Sequence, residues 1–359
     1  MSTIFTITLL SIFSLTIAQD EFFQPGSSIG GYGELHWNKV NDADGNSTKN
    51  EMDFHRFIIY YGYNWTDKWS FKSEVELEHN FVASGGYDAD ENKNSGYGEV
   101  ELEQAYVNYH TGSWGFQGGV ILPTVGLLNE YHEPPLFLSV ERPAYSKYII
   151  PTTWFGNGIA FYGNYSGFNF RFALMEDLEG EGISSSGIRG GRGKGFKTTG
   201  YSLLKNMSVV YTGINGLRLG GSLSMNDAPY ENNADTSISV QLIEANAKYF
   251  ANNIYAILEY GTTSFTGNKI DAPLKSSSGY YLDFGYNIGG FINTNKLIPW
   301  VRISNVSKND VVVSKQTDYL RFGITWWPID DVAFKTDFAN VTTDGTTTTE
   351  FNLGIGYKF

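Results

Sequence analysis

Apolar and polar residues alternate with a period of two along most of the chain, and the alternation runs to its last residue. In Phe351-Asn-Leu353-Gly-Ile355-Gly-Tyr357-Lys-Phe359 every odd position is apolar or aromatic and every even one is polar or Gly. Tyr280, Leu282, Phe284, Tyr286 and Ile288 repeat the pattern, and Leu320, Phe322, Ile324 and Trp326 interleave with Tyr319, Arg321, Gly323 and Thr325. A two-residue period puts successive side chains on opposite faces of a strand. Sixteen such segments are predicted, at 31–37, 53–63, 69–78, 100–109, 114–122, 158–164, 168–175, 208–214, 217–225, 237–249, 253–261, 279–288, 297–305, 319–327, 332–339 and 351–359. Segments 100–109 and 237–249 change phase midway, which predicts a bulge in each.

The connections sort by parity. Short ones fall at 64–68, 110–113, 165–167, 215–216, 250–252, 289–296 and 328–331. Longer ones alternate with them, at 38–52, 79–99, 123–157, 176–207, 226–236, 262–278, 306–318 and 340–350. Seven short turns and eight long loops are what sixteen antiparallel strands need when both ends of the chain lie on one side. A membrane-spanning barrel has this arrangement, with short periplasmic turns and long external loops. Strands of about nine residues also suit a tilted crossing of the bilayer. Lipid cannot satisfy an open sheet edge, so the sheet is expected to close, and sixteen strands leave an aqueous lumen. The predicted fold is therefore all-β, a transmembrane antiparallel β-barrel.

Aromatic residues gather beside the short turns: Tyr61, Tyr63, Trp65, Trp69 and Phe71; Tyr109, Trp114 and Phe116; Tyr162, Tyr165, Phe168 and Phe170; Trp326, Trp327 and Phe334. Amphipathic rings favour the headgroup level, so these predict one interfacial girdle. Residues 1–18 predict a signal peptide, with an apolar core from Ile4 to Ile17 and small residues before Gln19, leaving 19–359 as the barrel domain. The terminal Phe359 fits the aromatic end that outer-membrane barrels present to their assembly machinery. The expected setting is thus the outer membrane of a Gram-negative cell, in contact with its lipid, with both termini periplasmic.

Composition narrows the chemistry. With no Cys in 359 residues, disulfides, thiol catalysis and Cys-based metal sites are excluded. The five His show no helical i, i+4 pair, so neither a metal site nor a cofactor is expected. A net charge of −13 makes nucleic acid an improbable partner. With apolar residues outward, the inward set from the early strands is Glu34, His36, Arg56, Lys72, Glu74, Glu76, Glu78, Glu101 and Glu103. Later strands supply Arg171, Arg218, Asp283, Arg302, Arg321, Lys335, Asp337 and Lys358. An acidic wall opposite a basic wall would put a transverse field across the lumen.

Loop 123–157 differs from the others. It carries Leu127, Leu128, Phe137, Leu138, Ile149, Ile150 and Trp154 among several Pro, too apolar for an exposed loop. Folded into the barrel, its Glu130, His132, Glu133, Glu141, Arg142 and Lys147 would line a constriction. The Gly-rich run from Gly187 to Lys197 in loop 176–207 predicts an exposed, mobile segment, and Asn41–Gly45 an acidic turn.

Gly30-Gly-Tyr-Gly-Glu-Leu-His36, Glu74-Val-Glu-Leu-Glu-His79, Glu101-Leu-Glu-Gln-Ala-Tyr-Val-Asn-Tyr109 and the loop Asn129-Glu-Tyr-His-Glu-Pro-Pro135 with Val140-Glu-Arg-Pro143 and Ile149-Ile-Pro-Thr-Thr-Trp154 resemble porins of the Bacteroidota outer membrane, broadly of the phosphate-selective porin O and P group. The resemblance implies passive diffusion of small hydrophilic solutes and ions through a barrel with an inserted third loop, and a homotrimer. Phosphate-selective members depend on an Arg ladder and a Lys cluster, whereas this loop offers only Arg142 and Lys147 against Glu130, Glu133 and Glu141. A channel selective for phosphate, other anions or oligosaccharides, and a non-conducting surface or adhesive barrel, stay open as alternatives. Enzymatic activity is not expected: His132, Glu133 and Ser139 can be drawn as a base and nucleophile, but their spacing does not support it.

Overall fold

The computed structural model describes residues 25–80, 98–184, 187–267 and 274–359; the expected signal peptide lies outside them. The strands are β1 (Gly26–Asn41), β2 (Ser47–Asn64), β3 (Trp69–Glu78), β4 (Val100–Thr111), β5 (Trp114–Ile121), β6 (Gly156–Tyr165), β7 (Phe168–Met175) and β8 (Leu204–Ile214). They continue as β9 (Leu217–Tyr230), β10 (Asn233–Ala251), β11 (Ile254–Gly267), β12 (Ser276–Tyr286), β13 (Lys296–Ser307), β14 (Gln316–Ile329), β15 (Val332–Thr343) and β16 (Thr346–Lys358). Each pairs antiparallel with its neighbours in sequence, and β1 pairs with β16 to close a sixteen-stranded barrel. The closing seam runs from Tyr32 opposite Lys358 to Asn41 opposite Thr349. It is completed by two 2.9 Å backbone hydrogen bonds between Gly31 and Phe359. A side chain at Gly31 would collide with the Ile58 carbonyl, 2.1 Å from an ideal Cβ, so the seam requires glycine there.

The alternation decides which face is which. In β14, Leu320, Phe322, Ile324 and Trp326 are 40% to 51% exposed, while Arg321 and Thr325 are 7% and 0%. The outer wall is accordingly an apolar band, and the inner wall carries the charged and polar residues along with an apolar patch described below. At the short-turn end, rings of adjacent strands pack on one another: Trp69 and Tyr109 are tilted with centroids 4.9 Å apart, and Trp326 and Phe334 are stacked at 5.4 Å. Two aromatics expected in the girdle point inward instead. Tyr162 donates to Asn108, and Trp327 donates to the Pro135 carbonyl. Each alternates with an outward partner, Phe161 and Trp326.

Three connections expected to be long are mostly strand. Segments 38–52, 226–236 and 340–350 shrink to tips at 42–46, 231–232 and 344–345, because the hydrogen-bonded ladders continue past the apolar band. There the outward residues turn polar, so the periodicity that marks a half-apolar strand fades while the pairing persists. At 42–46 the tip is an acidic turn, with Asp42 accepting the amides of Asp44 and Asn46.

The expected bulge in 100–109 is present: Glu74 pairs with Gln104 and Val75 with Leu102, so Glu103 is the extra residue. The one expected in 237–249 is absent, and β10 keeps unbroken register with β11 from Ile238 to Ala251. The phase changes because Ile238, Val240 and Leu242 point inward, into an apolar core inside the barrel.

Candidate functional site: a lumen divided by the third loop

That core belongs to loop 122–155, which folds inward. Leu127, Leu128, Phe137, Leu138, Ile149, Ile150 and Trp154 are all buried against inner-wall residues such as Ile257, Ile298 and Trp300. Burying each large apolar side chain contributes about 1.5–3 kcal/mol, enough to hold a loop with no strand of its own. Its backbone polar groups still need partners, and the polar inner wall supplies them. Asp337 accepts the Val140 amide (2.7 Å) and Glu259 the Leu127 amide (3.1 Å). Lys335 donates to the Ser139 carbonyl (2.9 Å), and Thr325 donates to that of Leu138. Glycines make room: an ideal Cβ at Gly356 would lie 2.3 Å from Pro134, and one at Gly279 2.9 Å from Ile149.

Fully buried Asn129 ties the neck of the loop. Its Nδ2 donates to the carbonyls of Pro123 (2.8 Å) and Trp154 (3.1 Å), and its Oδ1 accepts the Trp154 amide (2.7 Å). The Gly-rich run of the next loop, expected to be exposed, is in part packed down, with Gly187, Ile188 and Gly191 buried. Arg189 donates to the Thr152 carbonyl (2.9 Å) and Arg192 to that of Thr153 (2.6 Å), clamping one loop on the other. Burial leaves the Arg192 guanidinium lowered to about 10.

Two large cavities flank the third loop among the described residues. One of about 650 Å³ opens toward the short turns and is lined by Arg171, Arg218, Lys248, Glu130, Asp283 and Arg302 among others. The other, about 740 Å³, opens toward the long connections, with Glu141, Arg142, Lys147, Arg321 and Glu350 in its wall. Arg302 and Pro143 line both. Arg302 grips both oxygens of Asp283 (2.6 and 2.7 Å) and donates to Ser139 Oγ (2.7 Å), so it is a fixed charge at the junction.

The residues expected at a constriction therefore separate. Glu130 faces the short-turn cavity, and Glu141, Arg142 and Lys147 face the other. Glu133 is half-buried. His132 is buried against the wall, with Nε2 3.4 Å from Glu103 and 3.6 Å from Glu74. Burial alone would lower its basicity, but the Glu103 and Glu74 carboxylates overcome that and raise it to about 10. Ser139 is held by Arg302 and the Glu141 carbonyl, apart from that cluster.

The walls are also less polarised than their composition. On the acidic side Arg56 sits 2.7 Å from Glu34 and 3.0 Å from Glu76, and Lys194 pairs with Glu101. On the basic side Arg321 pairs with Asp337 and Glu350. Among the described residues Arg171 and Arg218 have neutral hydrogen-bond partners, Gln117 (3.1 Å) and Thr124 (3.3 Å) for Arg171 and Asn246 (2.5 Å) for Arg218. Lys248 was not singled out by the sequence, and Asn129 and Pro143 were named there only within the stretches that carry the resemblance; nothing local marks the Asn129 amide as a neck tie.

Comparison with solved structures recovers the same architecture. The anion-selective porin from Comamonas acidovorans aligns over 94% of this chain and 100% of its own, with a TM-score of 0.65 and 14% identity. Salmonella typhi OmpF, solved in complex with daunomycin, aligns over 93% and 97% with a TM-score of 0.62 and 14% identity. The outer membrane channel DcaP of Acinetobacter baumannii gives 94%, 99%, 0.60 and 10%. At these identities the likeness is one of fold. No family model matches the sequence. An uncharacterized protein of Aquifex aeolicus (strain VF5) is 31% identical over 341 residues, spanning 87% of this chain and 75% of that protein. The chain is a porin-like sixteen-stranded barrel that belongs to the same family as the Aquifex protein.

Proposed function

We propose that this chain is an outer-membrane porin, a water-filled channel through which small hydrophilic solutes and ions diffuse passively. The observation that carries the reading is the pair of cavities, each with several charged residues in its lining and sharing Arg302 and Pro143, inside a wall whose outer face is apolar. A barrel with such an outside is stable only in lipid, and one with such an inside is wet. Under this reading the short turns, β1's start and Phe359 face the periplasm, residues 1–18 are removed on export, Phe359 is read by the assembly machinery, and the protein forms a homotrimer. Glu74, Glu76, Glu101 and Glu103, facing Arg171, Arg218, Arg302, Arg321 and Lys335, set the lumen potential. Liposomes carrying the purified protein should swell in small sugars, at rates that fall steeply with solute size. Liposomes that do not swell, with protein shown to be folded, contradict it.

A second reading concerns charge. In the short-turn cavity Arg171, Arg218 and Lys248 form no ion pair among the described residues, while Asp283 is taken up by Arg302 and Glu130 stands alone. This balance favours weak anion preference, the property named for the Comamonas porin. It falls short of the Arg ladder of the phosphate-selective group, so phosphate selectivity is not part of the proposal. Reversal potential in a KCl gradient tests it: an anion-selective sign is expected, and a cation-selective sign overturns it.

A further inference from the structure

Two of the five His, His55 and His79, meet on the wall of the long-connection cavity although they come from separate segments, and His36 lies beside them on the lining of a smaller adjoining cavity. A bulge in β2 brings one of them there. Glu34 pairs with Arg56 and Leu35 with Phe54, so His55 is the extra residue of the ladder. Bulges re-aim side chains, and here Asp53, His55 and Arg56 all serve the inner face. Just beyond β3, His79 adopts a left-handed backbone (φ 53°), and its amide donates to the His55 carbonyl (3.0 Å). Both imidazoles then converge on one carboxylate oxygen. Nδ1 of His79 lies 2.7 Å, and Nδ1 of His55 3.0 Å, from Asp53 Oδ2. The ligand atoms of Asp53, His55 and His79 all lie within 4.8 Å of one another.

We propose that Asp53, His55 and His79 bind a divalent transition-metal ion on the vestibule wall. Two imidazole nitrogens and a carboxylate oxygen are a suitable donor set for copper, nickel or zinc. Ligands at right angles on bonds of about 2.0–2.1 Å sit roughly 2.9 Å apart, close to the observed nitrogen–oxygen separations. Binding of the ion displaces any proton shared between these nitrogens and the Asp53 carboxylate. A neighbouring ring fixes the orientation of His55. His36 stacks on His55 with centroids 4.9 Å apart, and its own nitrogens are held by Glu34 and Glu141. Access is open, since all three ligands line the cavity. The spacing along the chain conceals the site, because the bulged strand β2 and the residue that follows β3 assemble it.

The bulge also bears on what else the cluster could be. A hydrogen-bond pin holding residue 79 to β2 would give the same metal-free contacts, and the experiment separates the two. Tag-free mature protein is titrated with Cu²⁺ and followed by calorimetry and electron paramagnetic resonance. The expected result is one ion per chain, with hyperfine splitting from two imidazole nitrogens. His79→Ala and His55→Ala should each weaken binding at least about tenfold, and His110→Gln, remote from the site, should not. His79 lies outside the strands, so His79→Ala retains a barrel. Heat-modifiable migration in gels verifies folding for every variant. Absence of stoichiometric binding to the folded wild type, or binding unaltered in His79→Ala and His55→Ala, would overturn the proposal in favour of the pin.

Discussion

Single side chains decide how the third loop is held, and Asn129 is the sharpest case. It satisfies one amide and two carbonyls at the loop's neck with no exposure to water. Asn129→Ala would leave those groups unpaired, at about 1–3 kcal/mol for each buried one. A lowered urea midpoint and noisier channel currents are the expected outcomes; an unchanged midpoint would mean that water replaces the amide. His132 offers a pH test. Its folded pKa, raised from 6.5 to about 10, means its contribution is complete below about pH 6.5 and is lost as pH rises through 10. The stability difference between wild type and His132→Gln should therefore be large at pH 6 and shrink by pH 11. A difference that grows with pH would refute a cationic His132. Neither role could be read from the sequence, because each depends on partners far along the chain, Trp154 for Asn129 and Glu74 with Glu103 for His132.

Strands and loops fail and succeed as sequence signals for identifiable reasons. Wherever an outward apolar face alternates with a wet one, as in β14 and β16, period two announced the strand and its facing. Beyond the apolar band the signal vanished while pairing continued, which is why the β1–β2, β9–β10 and β15–β16 hairpins run longer than their pattern. Where inward positions meet the inserted loop, as at Ile238, Val240 and Leu242, apolar residues appear on both faces and mimic a bulge. The third loop itself was legible from its apolar content, but not the way its charges divide between two cavities. Two substitutions probe this scale. Gly356→Leu would drive into Pro134; overpacking of about 1–3 kcal/mol should unseat the loop and raise conductance without opening the barrel. Leu353→Arg places a charge on the exposed outer face and should lower barrel stability by about 2–4 kcal/mol if that position sits at the bilayer midplane. Equal stability in detergent-free bilayers would show that Leu353 does not face lipid there.

At the scale of the whole molecule, one sheet closed on itself leaves no edge, puts its apolar surface outside and leaves a charged interior for the loop to divide. Sequence parity between short and long connections already pointed to this closure. The two cavities did not show in the sequence, since they are the spaces that the third loop leaves unfilled on either side of Arg302 and Pro143. The measurement that tests the account most directly is single-channel recording of the refolded mature protein in a planar bilayer. The account predicts discrete, reproducible conductance steps. Protein shown to be folded and inserted that carries no current would contradict it, and would make the chain a plugged barrel whose loop closes the lumen at Arg302.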